Sequence, residues 1–317
     1  MFKKFSEAEL QQMGEAVLSY LKGLSIESTP KGVKKVDHST ILPANTPVYI
    51  THLGGEKPEA MADAAAKLRD EGMVPVPHIG ARNLKGMDEL EDILTRCCER
   101  AKLDNVLLIG GSSKKPGGDV TETLQVMQSG LLESCGIKRV GLAGHPEGSP
   151  DFSDQVALKA LHDKISYGRE AGFEVRVLTQ FLFKEKPVIR WGEALKNEHG
   201  LSVPVHVGLA GPTNVKQLVR YASMCGVGPS MKVLTRNPMN YLRYLSRPYT
   251  PAGMLLSLAW YAHQNPQSNL CAPPHFYSLG GMKRCARWVK AIQEGAFNVK
   301  PSPWPRLSQR AHLKVDW

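Results

Sequence analysis

The chain has no apolar run of about 18 residues, so no segment is expected to cross a membrane as a helix. It has no C-x-x-C pair. The six cysteines, Cys97, Cys98, Cys135, Cys225, Cys271 and Cys285, are scattered, which argues against zinc or dithiol redox chemistry and for reduced thiols that pack as small apolar residues. The opening segment MFKKFSEAELQQMGEAV lacks the apolar stretch of a signal peptide. It reads instead as an amphipathic helix capped by Ser6, with Glu9 completing a capping box, and a cytoplasmic location is the expectation. No G-x-x-x-x-G-K-[ST] spacing occurs, and no G-x-G-x-x-G follows a strand. No zinc finger and no aromatic-and-glycine RNA-binding signature accompanies the net charge of +10. The basic residues are dispersed, which suits a small polyanion such as a dinucleotide or a glutamylated cofactor; no nucleic acid partner is expected.

What is present is an ordinary globular composition, 42% hydrophobic and 22% charged over 317 residues, enough to bury a large core without disulfide or metal staples. Apolar, β-branched runs alternate with helix-period segments. Strands are expected at Leu24–Glu27, Pro47–Thr51, Val74–His78, Asn105–Ile109, Arg139–Ala143, Glu174–Gln180, Val203–Val207 and His275–Ser278. Helices are expected at Pro58–Glu71, Met87–Ala101, Val120–Glu133, Asp154–Tyr167, Asn214–Cys225 and Gly281–Glu294, with another from Met254 to Gln264. Eight strands, each followed by a helix, predict a (β/α)8 barrel of the TIM type, with extra helices between strands 7 and 8; an open doubly wound sheet is the competitor. With no low-complexity linker, residues 1–317 read as one domain, 1–22 being an N-terminal helix and 299–317 a Pro-, Arg- and Trp-rich tail that packs outside or frays.

Functional side chains of such barrels come from the carboxyl ends of several strands. Here those ends offer Glu27, Thr51 with His52, His78, Gly110-Gly111-Ser112-Ser113, His145, Gln180, Gly208 and Ser278. A carboxylate, histidines, a glutamine and hydroxyls suit proton transfer and recognition of a heterocycle with several donors and acceptors. No metal is expected, because His78 and His145 would have only Glu27 as a third ligand. Glu27 ends the apolar strand LSIE, and two readings stand: a general acid with a raised pKa, or a carboxylate paired with Lys34 or Lys35. The run GGSSKKPGGD is either an anion-binding loop aided by Lys114 and Lys115 or a solvated turn.

The segments LSIESTP, VYITHLGG, VPVPHIGARN, VLLIGG, GLAGHPEGSPD, VLTQFLF, VHVGLAGPTNVKQL and PHFYSL, in this order over roughly residues 22–295, resemble the strand-end motifs of the methylenetetrahydrofolate reductase family. The resemblance implies a (β/α)8 barrel that reduces 5,10-methylenetetrahydrofolate to 5-methyltetrahydrofolate with electrons from NADH or NADPH, in one-carbon metabolism. Glu27 then corresponds to the acid that opens the folate ring, and Gln180 and Gln217 to glutamines that bind the folate. Thr51, His52, His78, Gly110, Gly111, His145 and Lys164 fall on the cofactor side, and Ser112 on the substrate side.

The departures bear on flavin. Where most members read Arg-Gly-Asp after the fourth strand, this chain reads Gly110-Gly111-Ser112, so the family's aspartate is missing. Polar flavin contacts fall on Ser149, Ala157, Ala160 and Asp163, while Lys164 is kept. His145 replaces a usual tyrosine, and Gly280-Gly281 an arginine. The chain thus resembles the few members without flavin, which implies direct hydride transfer from nicotinamide to folate; the FAD-dependent ping-pong form is the alternative. A pterin-dependent methyltransferase and a non-catalytic folate-binding barrel are the competing functions. The oligomeric state, homo-oligomer included, is left open.

Overall fold

The computed structural model describes residues 5–52, 54–111, 113, 115–149, 151–224, 248–301 and 311–317. The first helix, α1 (Glu7–Tyr20), starts with the expected capping box: the Glu9 amide donates to Ser6 Oγ at 3.2 Å and the Ser6 amide to Glu9 Oε2 at 2.8 Å. The strands that follow are β1 (Ser25–Ser28), β2 (Pro47–Ile50), β3 (Val74–Gly80), β4 (Asn105–Ile109), β5 (Arg139–Gly144), β6 (Glu174–Leu182), β7 (Val205–Ala210) and β8 (His275–Tyr277). They form a closed barrel in sequential order, so the (β/α)8 architecture holds and the open sheet is excluded. The helices between them are α2 (Pro30–Val33), α3 (Pro58–Asp70), α4 (Met87–Ala101), α5 (Thr123–Gln128), α6 (Leu131–Ser134), α7 (Asp154–Glu170), α8 (Glu185–Asn197), α9 (Val215–Met224) and α10 (Ala252–Gln264), with α11 (Met282–Gln293) after β8. Among the described residues, α10 is an extra helix between β7 and β8, as expected.

Contacts group the chain into two compact units, Ser25–Gln180 and a discontinuous one of Met1–Leu24 with Phe181–Trp317. In the first, α4 shows how pattern becomes packing. Leu90, Ile93, Leu94, Cys97 and Ala101 recur at helical spacing and are all buried. On its outer face Arg96 and Arg100 reach Glu59 at 2.9 and 2.6 Å, and Arg100 reaches Asp63 at 2.9 Å. These pairs are exposed and screened by solvent, so the buried stripe dominates. In the second unit, Phe276 of β8 meets the fully buried Trp288 of α11 edge-on, ring centroids 6.1 Å apart.

Several boundaries differ from the sequence reading. The helix expected over Val120–Glu133 is two short ones, α5 and α6, because Gly130 takes φ 75° and breaks the run. The seventh strand runs two to three residues later than Val203–Val207. The tail 299–317 contributes to a two-stranded antiparallel sheet, β9 (Phe297–Pro301) paired with β10 (Ala311–Val315), whose strands pack on α1 and α10.

Candidate active site

Tyr49, Val76, Leu107 and Leu178 form a buried cluster, with Val74 and Ile109 packed against it. These residues come from β2, β3, β4 and β6, and side chains from strands that are not neighbours meet only inside the barrel. Register then places the polar candidates of this unit. Glu27 pairs with Tyr49 across β1 and β2 and so shares its inward face. His78 lies two residues beyond Val76, and Gln180 two beyond Leu178, on the same faces and nearer the carboxyl ends. An apolar plug therefore floors a polar layer of Glu27, His78 and Gln180.

Glu27 keeps some contact with solvent, yet the barrel wall strips enough water from its carboxyl to push the pKa up to about 8. Burial is the sole cause. Of the two lysines that could have paired with it, Lys34 instead reaches Asp63 at 2.9 Å, and among the described residues no cation, Lys35 included, pairs with Glu27. An enclosed carboxyl without a counter-ion is neutral at pH 7 and able to donate a proton.

The neighbouring imidazoles are neutral as well. Burial, and secondarily the charge of His52, push His78 down to about 3. The His78 ring stands edge-on to Tyr49 at 5.8 Å, and its Nε2 has no hydrogen-bond partner among the described residues. His52 is also lowered by burial, with Glu89 opposing. Its Nδ1 accepts the Gly80 amide at 3.0 Å, which places the proton of the neutral ring on Nε2. Thr51 is half-buried and extends the β1–β2 ladder, its amide donating to the Ser28 carbonyl at 3.0 Å.

Gly110 and Gly111 sit in a loop braced by two residues to which the sequence reading gave no role, Arg82 and Asn83. Arg82 donates from Nε to the Gly110 carbonyl at 3.2 Å and from Nη2 to the Gly111 carbonyl at 2.9 Å. Asn83 donates to the His52 carbonyl at 3.1 Å and accepts the Ser113 amide at 3.4 Å. Gly111 has φ +89°, and a Cβ there would lie 2.8 Å from Asn83 Oδ1; a Cβ on Gly118 would lie 1.9 Å from the Lys85 carbonyl. Close approach between the loops after β3 and β4 thus explains these glycines without any anion. Ser112 and Lys114 lie outside the described residues.

A second cluster joins the β5 end to α7. Burial lowers the Lys164 pKa, against the opposing charges of Glu122 and Asp163. His145 is lowered by burial and then by the Lys164 charge, so its imidazole is neutral and lies within electrostatic reach of Lys164. His145 also meets Phe152 edge-on at 5.1 Å. Asp163 is committed to Lys159 at 2.6 Å, while Ala157 and Ala160 are half-buried and apolar.

Gln217 belongs to the other unit. Its Oε1 accepts from Thr213 Oγ1 at 2.9 Å and from Asn214 Nδ2 at 3.3 Å, and its amide donates to Asn214 Oδ1 at 2.9 Å. These bonds cap the start of α9. Ser278, another strand-end candidate of that unit, is buried just past β8.

The signal for the Arg82–Asn83 brace was present as a polar pair directly after an apolar strand, in VPVPHIGARN. Its partners lie some 30 residues away, as in the Asn83–Ser113 and Asn83–His52 bonds, beyond the reach of local pattern.

No family model matches the sequence. Solved structures similar to this chain include a conserved Enterococcus faecalis protein of unknown function, at 12% identity and TM-score 0.34, covering 60% of this chain and 49% of that one. They also include the carboxyl transferase domain of Rhizobium etli pyruvate carboxylase with pyruvate, at 9% identity and TM-score 0.40, covering 86% and 54%. The same domain with oxamate and biotin gives 10% identity, TM-score 0.40 and coverage of 93% and 57%. The chain spans about half the length of the solved chains it matches.

Proposed function

We propose that this protein reduces 5,10-methylenetetrahydrofolate to 5-methyltetrahydrofolate with NADH or NADPH, and that Glu27 is the general acid. The observation that carries this reading is the Glu27 carboxyl, held near pKa 8 with no counter-ion on the inward face of β1. The acid protonates a ring nitrogen of the folate, the five-membered ring opens, and the bridging carbon is left as an iminium ion. A hydride from the reduced nicotinamide adds to that carbon, yielding the methyl group, the oxidised dinucleotide and an ionised Glu27 that regains its proton from water. A binding-only barrel has no use for such an acid, which disfavours the non-catalytic reading.

Gln180, two residues beyond Leu178 of the apolar plug, serves as the recognition group for the pterin edge. Neutral His52 and His78 allow an uncharged heterocycle to bind without a fixed cation beside the developing iminium. Lys164 forms the cationic end of the site, with the neutral His145 imidazole beside it, and suits the phosphates of a dinucleotide. Support for direct transfer without flavin comes from the same cluster: Asp163 is spent on Lys159, and Ala157 and Ala160 offer a flavin no hydrogen bonds. FAD, were it bound here, would relay the hydride in a ping-pong cycle.

The decisive experiment is oxidation of NADH or NADPH by the purified protein with methylenetetrahydrofolate, with product identified by mass. Absence of 5-methyltetrahydrofolate under both nicotinamides would sink the proposal.

A further inference from the structure

At the opposite side of the plug, β4 and β6 carry a second polar group on their inward faces. Asn105 precedes Leu107 by two residues and Arg176 precedes Leu178 by two, so both project into the barrel toward the amino ends of the strands. Arg176 Nη2 donates to Asn105 Oδ1. Asn105 is buried. Arg176 Nε is also buried and has no hydrogen-bond partner among the described residues.

No carboxylate balances this guanidinium. Asp104, the residue before Asn105, is engaged by Arg139 at 2.7 Å from each of its oxygens. Glu174, two residues before Arg176, is exposed and makes no ion pair with it. The segments outside the described residues contain no Asp or Glu at all. The one acceptor of the cluster, Asn105 Oδ1, is already used, so what remains is donors: Arg176 Nε and Nη1, and Asn105 Nδ2.

Arg176 is half-buried, and a guanidinium whose Nε is cut off from water without a partner is costly unless an anion accompanies it. We propose that the amino-terminal end of the barrel interior binds a small monovalent anion, a halide or a simple carboxylate, on the Arg176 guanidinium and the Asn105 amide. The apolar plug of Tyr49, Val76, Leu107 and Leu178 separates this site from Glu27, so it is independent of the reaction proposed above. Its occupant is a structural ion that neutralises the barrel floor.

The test uses the full chain. Thermal unfolding is followed as sodium chloride, and separately sodium formate, replaces sodium gluconate at constant ionic strength, gluconate being too bulky for a barrel interior. A saturable rise in Tm of a few degrees is expected in the wild type, because a ligand of the native state alone stabilises it by mass action. That rise is lost in Arg176→Met and weakened in Asn105→Ala. Crystals of the wild type in bromide supply a readout that survives if a variant fails to fold, with an anomalous peak expected within hydrogen-bond distance of Arg176. The same Tm in all salts together with no bromide at Arg176 would overturn the proposal, as would an undiminished chloride effect in Arg176→Met.

Discussion

Glu27→Gln keeps the shape of the acid and removes its proton. Turnover is expected to fall by about 10²–10⁴-fold, the usual worth of a positioned acid, while folate still binds. Single-turnover kinetics with a parallel binding titration checks this; near-normal turnover would remove Glu27 from the mechanism. In the proposed mechanism the active form is the protonated one, so kcat/KM should decline as pH rises through about 8. Stability follows the same sign. A carboxyl whose native pKa is raised from 4.5 to about 8 favours the folded state most below 4.5 and loses that contribution as pH rises through 8. Urea midpoints of wild type and Glu27→Gln should therefore diverge over this window, with the variant gaining on the wild type as pH increases. Gln180→Ala should weaken folate binding by about tenfold, the loss of one hydrogen bond, and calorimetry with folate would show unchanged affinity if the pterin contact is elsewhere.

Between elements, the loops after β3 and β4 lock together. Gly118→Ala would place a Cβ 1.9 Å from the Lys85 carbonyl, a backbone atom that cannot swing aside. It should cost about 1–3 kcal/mol or more in urea unfolding, and a neutral result would mean the two loops slide freely. This interlock also marks the limit of what the sequence discloses. Strand existence was legible because apolar, β-branched runs recur between helical periods, and Met87–Ala101 was placed to the residue because its buried stripe is unbroken. Gly130 was not recognised as a break, since a lone glycine within a helical apolar period does not by itself show that it adopts the left-handed φ of 75°. The strands β9 and β10 were hidden because each is only five residues long and their pairing skips a Pro-rich segment. Glu27 was legible as a position; the choice between raised acid and ion pair was not, because burial inside the barrel and the Lys34–Asp63 pair both arise from tertiary packing.

For the whole molecule, the predicted signature is a colourless protein. Active enzyme should lack the flavin absorption band near about 450 nm, and initial velocities should give intersecting lines, as a ternary complex requires. Stoichiometric FAD with parallel lines would select the ping-pong form instead. The net charge of +10 adds an ionic-strength dependence: kcat/KM for the dinucleotide should fall with added salt.

The discontinuous unit has a consequence for how the chain is made. α1 is translated before β1, yet its partners α10 and β9 come near the end. Its apolar face, Met13, Ala16, Val17 and Tyr20, must wait uncovered while the segment 25–180 emerges and folds. A nascent chain stalled once residues 25–180 have cleared the ribosome should therefore show a protease-resistant middle and a chaperone-bound leading helix, released only when α10 and β9 have been made.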